Sequence, residues 1–164
     1  MNIETVAVGL GELKSGSRPE QVLVCYGLGS CIGLTLLDPV ARVGVMVHVV
    51  LPDSSLGRGQ LVLPGKFADT AVPAAIAEAV KLGAMRSRLI ARMAGGARML
   101  NVVGTGSKLD IGNRNAEAVR VALTEHGLRL MADDTGGTYG RTLHLYMGTG
   151  RLLVSTVGRG EREL

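Results

Sequence analysis

Residues 21–52 read QVLVCYGLGSCIGLTLLDPVARVGVMVHVVLP, and this stretch decides the fold. Its apolar runs at 21–26, 32–37 and 42–49 are short and rich in Val, Ile and Leu, which predicts strands rather than helices. Gly27-Leu28-Gly29-Ser30 places a glycine-rich turn between the first and second run. Asp38-Pro39 opens the next turn, because proline pre-sets φ for the second turn position and aspartate caps the first. Pro52 ends the third run. If the turn spans Asp38 to Ala41, Leu37 pairs with Arg42 and Cys31 falls opposite His48.

Working outward, residues 4–10 read as a short strand and the segment around 13–20 as a polar loop. A loop with several glycines and Pro64 follows Pro52. Residues 68–84 have helical spacing, with Asp69 or Thr70 as N-cap, Pro73 in the first turn and Gly83 near the end. Residues 86–100 read as a strand interrupted at Gly95-Gly96, and 101–115 as a short strand and a polar loop. Asn113 or Asn115 caps a second helix that runs to His126 and stops at Gly127. A strand at 128–134 leads into a glycine loop, and the runs at 141–147 and 151–157 form a hairpin. Many strands and two helices, without βαβ alternation, predict an α+β fold. Residues 1–164 read as one domain, with a polar tail from about 159 to 164.

Hydrophobic residues make up 46% of the 164, but aromatics only 2%, so the core must be built from Val, Leu, Ile, Ala and Met. A net charge of +4 favours an acidic partner surface modestly. With one Phe, three Tyr and no long basic run, base stacking and phosphate tracking have little to work with, so nucleic-acid binding is not expected. The apolar run 43–51 is half a membrane span and contains His48, so a soluble, cytoplasmic protein with no membrane insertion is expected. In that compartment Cys25 and Cys31 are free thiols.

The chemistry suggested by these residues centres on Cys31 and His48. Directly opposed residues on antiparallel strands have Cβ atoms about 4.5–5.5 Å apart, within reach for a thiol to pass its proton to an imidazole. Gly29 and Ser30 precede Cys31 in a turn whose backbone N–H groups suit a tetrahedral oxyanion. Against this, free cysteine is among the most buried residue types, and Cys31 and His48 also read as ordinary core residues. A one-residue bulge in the turn would move His48 to the other face. GLGSCIG lacks the dinucleotide fingerprint's spacing, and GTGSK that of a P-loop. No Cys/His/Asp cluster has zinc spacing, so neither metal nor other cofactor is expected. His126 suits a helix C-terminus, and His144 sits on the Thr142–His144–Tyr146 face of a strand.

Five segments extend this reading: GLGSCIGLTLLD, HVVLPDS, the Gly95-Gly96-Ala97 step, IGNRN at 111–115 and DDTGGTYGRT at 133–142. In content and order they resemble the CheD family of chemoreceptor glutamine deamidases along almost the whole chain. The resemblance implies a layered sandwich of mixed or antiparallel β-sheets with helices packed on one face. It implies hydrolysis of glutamine side-chain amides on the cytoplasmic helices of chemoreceptors, and a CheC-type phosphatase as a possible partner. It puts the nucleophile on Cys31 and its histidine on His48. The family's third triad member, a threonine six positions before the nucleophile, falls on Cys25, a poorer hydrogen-bond partner. Asn113, Arg114, Asn115, Thr135 and Tyr139 are candidates for the substrate groove. Two other readings stay open: a weakly active module that regulates the phosphatase, and a cysteine hydrolase of some other amide.

Overall fold

Every strand expected between residues 21 and 52 is present in the computed structural model, which describes residues 2–57, 62–99 and 110–164. In chain order the elements are β1 (Glu4–Ala7), β2 (Leu13–Gly16), β3 (Gln21–Leu28), β4 (Ile32–Asp38), β5 (Val43–Val49), α1 (Ala68–Lys81), β6 (Ile90–Gly95), α2 (Ile111–Glu125), β7 (Leu130–Thr135), β8 (Arg141–Tyr146), β9 (Leu152–Thr156) and β10 (Gly160–Glu163). The strands form two sheets of five, ordered β1-β3-β8-β9-β10 and β2-β5-β4-β6-β7. Both are mixed: β1 runs parallel to β3 and β6 to β7, and the other pairs are antiparallel.

Burial along the strands shows the layering. Every residue of β4 and β5 is buried, whereas β8 alternates buried with half-buried. The sheet that holds β4 and β5 is therefore covered on both faces, and the other sheet has one face open. Ile32, Leu34, Leu36, Val43, Val45, Val47 and Val49 pack against the helices, through Ala71, Val72, Ala75 and Ile76 of α1 and Val119 and Leu123 of α2. The opposite faces of β4 and β5 meet Leu23, Cys25, Leu143, Leu145, Leu152 and Val154 of the second sheet. The result is a three-layer α+β sandwich, with the helices on one outer face.

Several local expectations change. Residues 13–16, expected as loop, form β2, whose partner is β5. The expected polar tail pairs with β9 as the edge strand β10. Phe67 precedes α1 without a side-chain cap, and Asp69 lies inside its first turn, accepting from Ser54. Pro73 lies in the body of α1 rather than its first turn. Asp110, not Asn113 or Asn115, caps α2, accepting from the Asn113 N–H at 3.1 Å. The short strand expected near residues 101–104 lies outside the described residues.

The β4–β5 register also differs. Asp38 pairs with Val43, Gly33 with His48 and Ile32 with Val49, so the turn is Pro39–Arg42, shifted from Asp38–Ala41. Two features cause the shift. Arg42 takes φ 56°, the left-handed region, which lets the chain reverse one residue later. Asp38 stays in the ladder while its Oδ1 accepts from the N–H groups of Val40 and Ala41 at 2.9 and 3.1 Å. Moving both ends by one residue preserves the facing, so His48 remains on the inter-sheet side.

Asp38 is fully buried and carries more than the turn. Its carboxylate accepts from Arg88 Nε and Nη2 and from the Met85 N–H at 2.8 Å. The Arg88 contact above all, helped by these backbone donors, holds the carboxyl well below the usual carboxylate range. A carboxyl with a depressed folded-state pKa contributes stability that is complete above its unfolded value of about 3.9 and is lost as the pH falls below it. Asp38→Asn should therefore lower the thermal midpoint by roughly 5 °C at neutral pH. The difference from wild type should shrink on acidification below about pH 4, as read by melting curves across pH.

Candidate active site

Cys31 sits in the turn between β3 and β4, half-buried at the end of the inter-sheet core. The three carbonyls before β4 are each held by a donor. Gly29 O accepts from the Ala97 N–H at 2.8 Å, Ser30 O from Asn115 Nδ2 at 2.9 Å, and Cys31 O from the Gly96 N–H at 2.9 Å. Among the described residues the N–H groups of Ser30 and Cys31 have no acceptor. A turn with pinned carbonyls and free N–H groups is the arrangement that receives a developing oxyanion.

This pinning needs glycine at two places. A Cβ on Gly95 would lie 2.2 Å from Cys31 O, and its φ of 116° is one that side-chain-bearing residues rarely adopt. A Cβ on Gly112, in the first turn of α2, would lie 2.3 Å from Ala97 O. The Gly95-Gly96-Ala97 step thus holds the Cys31 turn by backbone contact, and the start of α2 packs against that step.

His48 is 5% exposed, its ring on the same inter-sheet side as Cys31. Gly33, directly opposite, has no room for a side chain: a Cβ there would meet Leu143 and Leu28 at 2.9 Å and Cys25 Cβ at 3.6 Å. Cys31 lies two residues before Gly33, diagonal to His48 and not opposite it as expected. Such neighbours are about 7–8 Å apart, against about 5 Å for a direct pair. Among the described residues no hydrogen bond joins Cys31 to His48. Imidazole Nδ1 lies 3.0 Å from Val8 O, a group that only accepts. Nδ1 therefore carries the proton, and in the neutral ring Nε2 is the free base.

Cys25 is fully buried on β3, beside Gly33. Burial pushes its thiol far up, and the neighbouring Cys31 adds to the shift. Burial also raises the Cys31 thiol, so both are neutral at neutral pH.

The other expected site residues separate. Asn115 is fully buried, and its Nδ2 joins Ser30 O to Val50 O at 2.9 Å each. Asn113 and Arg114 are exposed, and Arg114 lines a depression with Asp53, Asp69 and Glu117. Thr135 donates to Asp133 and accepts from Arg120. Tyr139 lies between two guanidinium groups, Arg141 at 4.4 Å and Arg159 at 4.1 Å from its ring centre.

Arg141, unassigned in the sequence reading, is 2% exposed and ties the glycine loop to the site. It pairs with Asp134 at 3.2 Å and donates to Gly136 O at 2.8 Å and Gly95 O at 3.3 Å. Its place in the TYGRT segment was the available signal. Val8 had none, since its contribution is a main-chain carbonyl. A surface depression of about 520 Å³ lies over Gly27, Tyr139, Thr142, Ser155 and Glu161 and is lined by neither Cys31 nor His48. A smaller one of about 70 Å³ touches Ser30, with Ala97, Arg98, Asp110 and Gly112. Neither Cys31 nor His48 lines this one either; Ser30 is its link to the Cys31 turn.

A half-buried thiol, an imidazole with a free Nε2 and a turn of free N–H groups are the parts used by hydrolases that act through a thioester. Residues 50–156 match the profile described as CheD, CheD chemotactic sensory transduction. The chain is 69% identical over 158 residues to a probable chemoreceptor glutamine deamidase CheD of Symbiobacterium thermophilum, covering 96% of each. It is 46% identical over 155 residues to a chemoreceptor glutamine deamidase CheD of Thermotoga maritima, covering 94% of each. A probable chemoreceptor glutamine deamidase CheD of Clostridium botulinum is 40% identical over 164 residues, the whole of both chains. This chain belongs to the CheD family. The matched profile begins after Cys31 and His48, and it is the full-length relatives that extend the likeness across them.

The Gly95 contact gives a direct check. Gly95→Ala should cost about 2 kcal/mol or more, because the added methyl meets backbone and the φ is strained. Gly140→Ala, whose Cβ would meet only Leu28 O at 3.7 Å, should cost much less in the same denaturant titration.

Proposed function

We propose that this chain is a protein-glutamine deamidase that converts glutamine side chains on the cytoplasmic helices of chemoreceptors to glutamate, with Cys31 as nucleophile and His48 as general base. The observation that carries this reading is the His48–Val8 contact. With Nδ1 as donor, the neutral ring keeps its lone pair on Nε2, in a side chain on the same inter-sheet face as Cys31, and the N–H groups of Ser30 and Cys31 have no acceptor among the described residues. The names of the full-length relatives supply the substrate class.

The steps follow acyl-transfer chemistry. Nε2 takes the Cys31 proton as Sγ bonds to the glutamine carboxamide carbon, and the Ser30 and Cys31 N–H groups hold the resulting oxyanion. The imidazolium then protonates the departing nitrogen, and ammonia leaves with closure of a thioester. Water, deprotonated by His48, attacks the thioester, giving glutamate and restoring the thiol. Because burial keeps the resting Cys31 neutral, proton transfer accompanies attack instead of preceding it. Cys25, at the family's threonine position, has no orienting task here, since the Val8 carbonyl holds the ring.

A second reading is a weakly active module that works by binding a CheC-type phosphatase. It is favoured by the missing Cys31–His48 hydrogen bond and by the neutral thiol.

Turnover separates the two. Cys31→Ala should abolish ammonia release from a glutamine-bearing receptor fragment while leaving the unfolding transition in place, and His48→Ala should slow it by about 10³-fold. Continued release from Cys31→Ala would remove the thiol from the mechanism. Iodoacetamide labelling with peptide mapping reports the resting state. The Cys31 rate should lie below that of an unstructured cysteine peptide near pH 7.5 and climb above about pH 8.5, with Cys25 unlabelled in folded protein. A labelling plateau at low pH would mean a preformed thiolate–imidazolium pair.

A further inference from the structure

We propose that Asn115 is a positioning residue for the deamidation reaction: its side-chain amide acts as a rung that holds the Cys31 turn away from β5 so that the turn's N–H groups stay free. This rests on Cys31 being the nucleophile. The β4–β5 ladder ends at Ile32 and Val49. Continuing it would place Cys31 opposite Val50 and draw main-chain groups of the turn into sheet hydrogen bonds. Instead, the two hydrogens of Asn115 Nδ2 reach Ser30 O and Val50 O, each at 2.9 Å. One side-chain nitrogen spans the gap between the chain entering Cys31 and the chain leaving His48, acting as a spacer where the strands separate.

Three observations support a positioning task. Asn115 is fully buried, so it does not reach substrate itself. Its Oδ1 is buried with no partner among the described residues, so the residue is held in place by its two donors alone, at the expense of its own acceptor. Both donors go to groups one or two residues from the proposed nucleophile and base. The helix that carries it is seated by Gly112 against Ala97, and Ala97 and Gly96 hold the carbonyls on either side of Ser30. Asn115 completes that set, and it alone also reaches the His48 strand.

The test uses the full chain and a glutamine-bearing receptor fragment, with the active fraction taken from stoichiometric alkylation of Cys31. Asn115→Leu keeps the volume and removes both donors. It should lower kcat per folded molecule by about 100-fold, with KM within about threefold of wild type. Asn115→Asp keeps the shape but turns an acceptor toward two carbonyls, and only its protonated acid can donate. Its kcat relative to wild type should rise as the pH falls from about 8 to about 5, because burial raises a carboxyl pKa. Glu125→Ala, at an exposed position at the far end of α2, should match wild type. A folded Asn115→Leu with wild-type kcat, an Asn115→Asp ratio flat with pH, or failure of both variants to fold would each overturn the proposal. If Cys31→Ala still releases ammonia, the nucleophile reading has failed. If that variant is inactive and Asn115→Leu is not impaired, only the role of Asn115 has failed.

Discussion

The register of the β4–β5 hairpin is the constraint on which the site depends, and it is held from the end farthest from the thiol. The buried Asp38 carboxylate binds the turn N–H groups and Arg88, while Arg42 takes a left-handed conformation. Together they make Asp38 the closing pair. Every later pairing follows, including Gly33 against His48. A one-residue slip of either strand would turn its whole inter-sheet set toward the helices. A charged group in the core thus fixes the position of an imidazole at the other end of the same ladder, through strands with no freedom to slide.

The packing of the two sheets then determines what the imidazole can do. Leu23, Leu28, Leu143 and Leu145 of one sheet meet Leu37, Met46 and Ala94 of the other, and Leu28 and Leu143 press against Gly33, where a side chain would not fit. The loop before β2 supplies the ring's partner, and the same loop bonds the His48 main chain on both sides, Gly11 N–H to His48 O and His48 N–H to Glu12 O. On the far side, Arg141 gathers Asp134, Gly136 and Gly95 into one cluster. The glycine loop and the Cys31 turn are thereby connected through a single buried guanidinium.

Much of this was legible from residue types. The apolar runs, proline and glycine breaks and helical spacing gave the α+β class, and the segments around Cys31, His48 and Gly95 drew attention to the candidate site, with no role assigned to Arg141. What escaped has physical causes. β2 and β10 are polar edge strands whose pairing depends on partners distant in sequence, so local composition reads them as loop and tail. The turn position depended on a positive φ at Arg42, a residue type with no preference for it. The helix starts at Ile111, because the Asp110 carboxylate accepts from the Asn113 N–H, and Asn115 lies inside the helix with its amide on Ser30 O and Val50 O. The partner of His48 is a carbonyl, a group every residue has, so no side chain announces it.

That carbonyl bears on how such a site tolerates change. Where a side chain orients a catalytic imidazole, one substitution deletes the orienting group, and the lineage must retain it or lose function. Here the oxygen beside Nδ1 belongs to the backbone of Val8 and survives any replacement of that side chain that leaves the chain's path intact. Cys25, six residues before Cys31, therefore need not orient the ring, and a small, apolar side chain there answers only to packing between the sheets.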